Sequence, residues 1–300
     1  MIRTLGTIFA GLLGLAFGSF LNVCLSRWPE GESIVQPRSH CDKCGRTLTW
    51  WENVPLASWL MLRGRCRICR AWIGWRHPLV EAAVGVLWAY SAYFFFRALS
   101  GSEMMPTNIY IPLIYAIGQM ILSWLLVALA TLDAENFWLP NWLTLPGAVL
   151  GFLSYFLRIK MSSDNVLSYY GASSLQKRFL VEALSRRLLG ILAAAGLILL
   201  IRWVYWLIRH REGIGLGDAK LMALLAAWLG LPQALLAFGM GTTLGAVAAV
   251  ALLSIPSKRL DLRSWAAQKL PLGSFLCIGG IITSLWGQQI IDAYLRWAGF

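Results

Sequence analysis

Apolar runs of about 20 residues, each long enough to cross a hydrocarbon core of ~30 Å, recur along the whole chain. They fall at residues 4–25, 78–99, 109–132, 138–157, 188–208, 218–231, 232–254 and 272–294. The pattern predicts an all-α polytopic membrane protein with about eight transmembrane helices. The sixth run is short, and is expected to be re-entrant or strongly tilted. The first run begins like a signal peptide, with Arg3 ahead of an apolar stretch. It has no small-residue cleavage site and continues straight into Gly18-Ser19-Phe20-Leu21-Asn22, so residues 1–26 are expected to remain as a first transmembrane helix. A polar segment, 27–77, separates it from the remaining spans in 78–300. The chain therefore divides into a first helix, a small soluble insertion and a larger membrane domain.

Composition agrees with this division. At 58% hydrophobic and 13% charged residues the chain is too apolar for a soluble domain. Its 16 Trp suit the headgroup boundary, where indole rings concentrate. The net charge of +12 would fit a nucleic-acid ligand, but its placement argues for a lipid bilayer as partner and against nucleic acid. Nine Lys and Arg lie between Arg27 and Arg76, followed by Arg209 and Arg211, then Lys258, Arg259, Arg263 and Lys269. With alternating crossings all three groups share one face. The positive-inside rule makes that face cytoplasmic and puts both termini outside. The basic connection 158–187 falls on the opposite face and dissents from this topology, although long loops weigh less in the rule.

Four of the six cysteines form Cys41-Asp42-Lys43-Cys44 and Cys66-Arg67-Ile68-Cys69, two C-x-x-C knuckles separated by 21 residues. This is a zinc-ribbon pattern, in which each knuckle brings two thiolates to one tetrahedral ion. Cys41, Cys44, Cys66 and Cys69 are the expected ligands of a structural Zn2+; four thiolates leave no open position for catalysis. Two disulfides or free thiols are the alternative, and a reducing cytoplasmic loop disfavours the disulfides. An insertion this small buries little, so metal binding would supply folding energy that packing cannot. Trp50, Trp51, Trp59, Trp72 and Trp75 are expected to pack around the site or lie on the membrane surface. His40 adjoins Cys41, yet four cysteines suffice without it. Cys24 and Cys277 lie inside apolar runs and read as small buried hydrophobes.

Asp133 and Asp218 stand where a membrane protein should not carry a lone charge. Asp133 ends an apolar run, and Asp218 opens another within Gly215-Leu216-Gly217-Asp218-Ala219-Lys220. A carboxylate at bilayer depth costs several kcal/mol and is a functional candidate by default. The loop charges alone, without either aspartate, put both at cytoplasmic helix ends. Two carboxyl groups that meet share a proton, one activating water while the other remains protonated. Gly215 and Gly217 would let an extended peptide come close. Glu135 and Lys220 are near enough in sequence to tune such a pair. The alternative is structural: Asp218 capping the helix after it, and Asp133 capping the turn before Trp138. No G-x-S-x-G competes as a nucleophile motif, and no internal repeat suggests a transporter. Gly14-x-x-x-Gly18, Gly147-x-x-x-Gly151 and Gly241-x-x-x-Gly245 are spacings that permit close helix packing.

Nearly end to end, the chain resembles the bacterial type IV prepilin peptidases, intramembrane aspartic proteases of the G-x-G-D kind. The resemblance rests on Gly18-Ser19-Phe20-Leu21-Asn22-Val23 with Arg27 and Pro29, the four cysteines, Trp51-Glu52-Asn53-Val54-Pro55-Leu56 and Arg76-His77-Pro78-Leu79-Val80-Glu81. It continues through Asp133 with Leu139-Pro140, Leu143-Thr144-Leu145-Pro146, the Gly215 motif and Pro271-Leu272-Gly273. It implies Asp133 and Asp218 as catalytic dyad, in a bacterial inner membrane with the active site facing the cytoplasm. It also implies prepilin or pseudopilin precursors as partners. Their short basic leader would be cut after a Gly, and the new N-terminal residue, usually Phe, methylated from S-adenosylmethionine. No cofactor motif marks a site for that donor, and the resemblance associates residues 27–77 with the methyltransferase. Glu30, Glu32 and Glu52 are candidate contacts for the basic leader. The chain departs from the family at Asn141 and Glu135, each in a place where Asp is common. A presenilin-like signal peptide peptidase would share G-x-G-D but not the cysteines; a non-enzymatic zinc-stabilised scaffold or transporter would share neither activity.

Overall fold

A computed structural model describes residues 1–101, 109–169, 173–210, 215–254 and 270–299. Among the described residues the chain is helical, and extended pairing is confined to two isolated bridges. Among the described residues, seven helices are long and apolar enough to cross a membrane: α1 (Ile2–Arg27), α3 (Arg76–Gly101), α4 (Tyr110–Asn136), α5 (Asn141–Tyr169), α6 (Ser173–Arg209), α8 (Leu231–Ser254) and α9 (Leu272–Trp297). Two short elements, a 3-10 turn at Trp50–Asn53 and α2 (Ala57–Met61), lie in the insertion.

The sixth apolar run forms α7 (Leu216–Leu229), 14 residues long. At 1.5 Å per residue it extends about 21 Å, short of a full crossing. Asp218, Leu221, Met222, Leu224, Leu225 and Trp228 are all buried, because α5, α6, α8 and α9 pack around it. Gly230, at φ 93°, separates α7 from α8 in a conformation open to glycine. Arg187 closes the α7 C-terminus, its guanidinium donating to Ala226 O at 3.3 Å and lying 3.8 Å from the Tyr155 ring centroid. A cation there suits the negative end of the helix.

Residues 158–187, expected as a connecting loop, are instead largely helical: α5 runs on to Tyr169 and α6 begins at Ser173. The polar stretch contains many straight-chain residues of good helix propensity. Its two arms also bond to each other, Gln176 Nε2 donating to Asp164 Oδ1 at 2.5 Å. Of the basic residues used for topology, Arg211, Lys258, Arg259, Arg263 and Lys269 lie outside the described residues.

The chain forms two compact units, Met1–Ala128 and Leu129–Phe300. In the first, α1 packs on α3 through the expected small residues. A Cβ at Gly14 would lie 2.9 Å from Val84 O, and one at Gly18 would lie 2.7 Å from Glu81 Cα. Membrane helices associate by such close packing because lipid offers no hydrophobic drive between them. Trp88 Nε1 donates to Met120 O at 3.0 Å, and Trp124 Nε1 donates to Phe17 O at 3.3 Å, tying α4 to both. In the second unit Trp228 lies against Gly151 and donates from Nε1 to Gly147 O at 2.9 Å. The Gly147–Gly151 spacing thus admits an indole from α7.

Candidate active site and cysteine cluster

Asp133 sits in the last turn of α4, which ends when Phe137 turns to φ 51° and its N–H returns to Asp133 O at 3.0 Å. A carboxylate is disfavoured at the negative end of its own helix. The compensation comes from the positive end of another. Pro271 caps α9, and the amide of Ser274 in its first turn donates to Asp133 Oδ2 at 2.7 Å. Ser274 Oγ lies 3.1 Å from the same oxygen. Asp133 does not cap the turn before Trp138, since its side chain is engaged by α9.

Asp218 is the third residue of α7, and its Oδ2 accepts the Gly215 N–H at 3.3 Å. Gly215 has no side chain to answer, so only the returning half of a capping box is present. Asp218 is thus not the N-cap expected of it: it lies inside the helix and reaches back to Gly215, which holds the N-cap position. That bond does not exclude chemistry, because the segments that carry the two aspartates pack on the same side chain, Leu139. Both carboxyls are buried, at 7% and 8% exposure.

Leu139 lies between the Gly217 and Gly273 backbones. Its Cδ1 would lie 3.0 Å from a Cβ at Gly217 and 3.1 Å from one at Gly273. A Cβ at Gly273 would also stand 2.9 Å from Asp133 Oδ2. Gly217, expected to make room for a substrate backbone, makes room for Leu139. The motifs Leu139-Pro140, Gly215-x-Gly217-Asp218 and Pro271-Leu272-Gly273 thus converge around Leu139. Lys220 turns its ammonium to Asn141 Oδ1 at 2.5 Å, and Glu135 is exposed at the end of α4. Ser274 was missed in sequence; the available signal was a proline and a glycine at the mouth of an apolar run.

In the insertion, Cys41, Cys44, Cys66 and Cys69 bring their sulfurs within 4.8 Å of one another, and Cys41 Sγ is 3.7 Å from Cys69 Sγ. A zinc–sulfur bond of about 2.3 Å in a tetrahedron gives sulfur–sulfur edges of about 3.8 Å, so the donor set fits that ion. The two knuckles have the same backbone bonds. Cys41 N–H donates to Arg46 O and Cys66 N–H to Ala71 O, each at 2.9 Å; Gly45 and Arg70 return their amides to the first cysteine of each pair. Bridges His40–Thr47 and Arg65–Trp72 close the loops in matching places. The amides of Cys69 and Ile68 draw the Cys66 thiol down to about 6, while burial and the neighbouring thiols push Cys69 up to about 11. One thiolate of the pair is thus favoured over two until a cation joins them. His40 Nδ1 pairs with Arg38 O at 3.1 Å, apart from the cysteines.

Trp59, Trp72 and Trp75 form a ring cluster beside the second knuckle, with centroids 4.6 to 5.9 Å apart. Trp50 is exposed, and Arg67 lies 5.2 Å from the Trp51 ring centroid. Glu52 is not available to a basic leader. Arg46 binds it through two nitrogens at 2.6 and 3.1 Å, and Thr49 donates to it from N at 2.8 Å and Oγ1 at 2.7 Å.

These features define a class: a helical multi-pass membrane protein that joins two aspartates from separate helix ends and carries a four-cysteine insertion. The chain belongs to the type IV leader peptidase family. Residues 120–250 match that family by name, and residues 12–95 match the bacterial peptidase A24 N-terminal domain. Among its relatives, the prepilin leader peptidase/N-methyltransferase of Pseudomonas aeruginosa is 32% identical, over 96% of this chain and 93% of its own. Proteins of the same description from Xanthomonas campestris and Stutzerimonas stutzeri are 33% and 30% identical. They cover 98% and 96% of this chain, and 96% and 93% of their own length. No solved structure matches the chain.

Proposed function

We propose that this protein removes the leader from type IV prepilin or pseudopilin precursors and then N-methylates the new N-terminal residue. The packing of the Asp133 and Asp218 segments on Leu139, within the part of the chain that matches the leader peptidases, is what supports the proteolytic half. One carboxylate takes a proton from water as its oxygen attacks the scissile carbonyl, and the other carboxyl protonates that carbonyl oxygen. Collapse of the resulting diol breaks the C–N bond, the first group delivers its proton to the leaving amine, and the second recovers one from the diol. The substrate has a short basic leader cut after a Gly at the cytoplasmic face of the inner membrane. The family membership favours this reading over a signal peptide peptidase or a non-enzymatic scaffold.

The methyl half rests on the relatives' shared description. S-adenosylmethionine supplies an electrophilic methyl group, and no residue of this chain is assigned to it. Residues 27–77 form a separate domain in which Cys41, Cys44, Cys66 and Cys69 hold a structural Zn2+. Incubating the purified protein with a prepilin and labelled S-adenosylmethionine, then weighing the products, tests both halves. Leader loss with label on the new N-terminus is expected. Asp133→Asn and Asp218→Asn should each reduce cleavage about 10^2- to 10^4-fold. A folded Asn variant with full activity refutes the dyad.

A further inference from the structure

The two aspartates are not held alike. Asp133 Oδ2 faces two donors of Ser274, the amide at 2.7 Å and the hydroxyl at 3.1 Å, at the positive end of α9. Asp218 Oδ2 receives the Gly215 amide at 3.3 Å. Short bonds to fixed donors stabilise an ionised carboxylate more than a neutral one. Ser274 Oγ has a second acceptor in Ala130 O, at 2.9 Å. A hydroxyl has one proton and rotates to suit its partners. Turned to Asp133 it supports the carboxylate; turned to Ala130 it offers a lone pair to a protonated Asp133. The same side chain therefore serves Asp133 before and after a proton arrives.

We propose that Ser274 is the positioning residue of the dyad, holding Asp133 as the ionised member. Asp133 then takes the proton from the attacking water, and Asp218 protonates the carbonyl oxygen. The inference rests on the dyad reading above. The titratable groups facing Asp133 are Asp218 on α7 and Cys277, one turn further along α9. Among the described residues no cation forms an ion pair with either aspartate, so the donors of α9 decide the asymmetry.

The test is the pH profile of prepilin cleavage by the full-length protein in detergent. Ser274→Ala removes the hydroxyl and should move the acid limb of kcat/KM up by about one pH unit, since a hydrogen bond to a charged group is worth about that much. KM at neutral pH should stay unchanged. Ser274→Thr retains a hydroxyl and should restore the wild-type limb. Ser274→Pro, tolerated in a first helical turn, removes both donors and should move it further. Should Ser274→Ala fail to fold, Ser274→Cys, similar in size and a weaker donor, should give a smaller shift in the same direction. A folded Ala or Cys variant with an unmoved limb overturns the proposal. If that occurs while Asp133→Asn is inactive, the dyad stands and only the role of Ser274 falls.

Discussion

Glu81 accepts the backbone amide of Leu56 at 2.8 Å, joining the insertion to a transmembrane helix through one buried carboxylate. Leu56 is the centre of a γ-turn, at φ 57° and ψ −47°, closed by Ala57 N–H to Pro55 O at 2.6 Å. A leucine in that conformation is strained, and the bond to Glu81 gives its partly buried amide a partner.

Glu81→Ala should therefore cost about 1–3 kcal/mol, the penalty for stranding a buried donor. Thermal unfolding in detergent should show a lower midpoint and earlier proteolysis in the insertion. Glu81→Gln retains an acceptor and should lose less.

Glu52 should make the insertion acid-sensitive in a defined window. The Arg46 guanidinium and the Thr49 donors hold its carboxyl down at about 2. A depressed carboxyl stabilises the fold above its unfolded value, about 4.3, and that contribution is lost as the pH falls towards 2. Fluorescence of the insertion's tryptophans should report a transition there, and Glu52→Gln should flatten it.

Elemental analysis should find about one zinc per chain, as four thiolates fill one tetrahedral ion. Cys41→Ser with Cys66→Ser should abolish it, and chelation should loosen the packing of Trp59, Trp72 and Trp75. A Cys41–Cys66 disulfide in the purified protein would contradict this assignment.

Gly273→Ala should disable cleavage without unfolding the insertion. Its Cβ would stand 2.9 Å from Asp133 Oδ2 and 3.1 Å from Leu139 Cδ1, so the carboxylate or α9 must shift. A displacement of that kind typically costs about 10^2-fold in rate. Zinc content, and methylation of an already mature pilin, should be unchanged.

Much of this was legible in the chain because the relevant forces are local or one-dimensional. Span length follows from hydrocarbon thickness, and the cysteine knuckles from ligand spacing, so the long helices and the cluster of Cys41, Cys44, Cys66 and Cys69 appear directly in the sequence. Asp133 and Asp218 stood out because an apolar background makes a charge conspicuous. What surrounds them was not legible. Ser274 is 141 residues from Asp133, and no periodicity links the start of one helix to the end of another. Glu52 looked like a free acid because its partners, Arg46 and Thr49, are ordinary loop residues. The helical form of residues 158–169 and 173–187 was obscured by charge, which reads as loop when hydrophobicity is the only signal.

The donors that hold Asp133 come from α9, the last described helix to leave the ribosome. A nascent chain that has already delivered both aspartates still lacks the amide and hydroxyl of Ser274, and its Asp133 faces the unfavourable end of α4 alone. Assembly of the protease centre thus waits until α9 has been made. A chain truncated before α9 would carry both acids of the active site without the means to tell them apart.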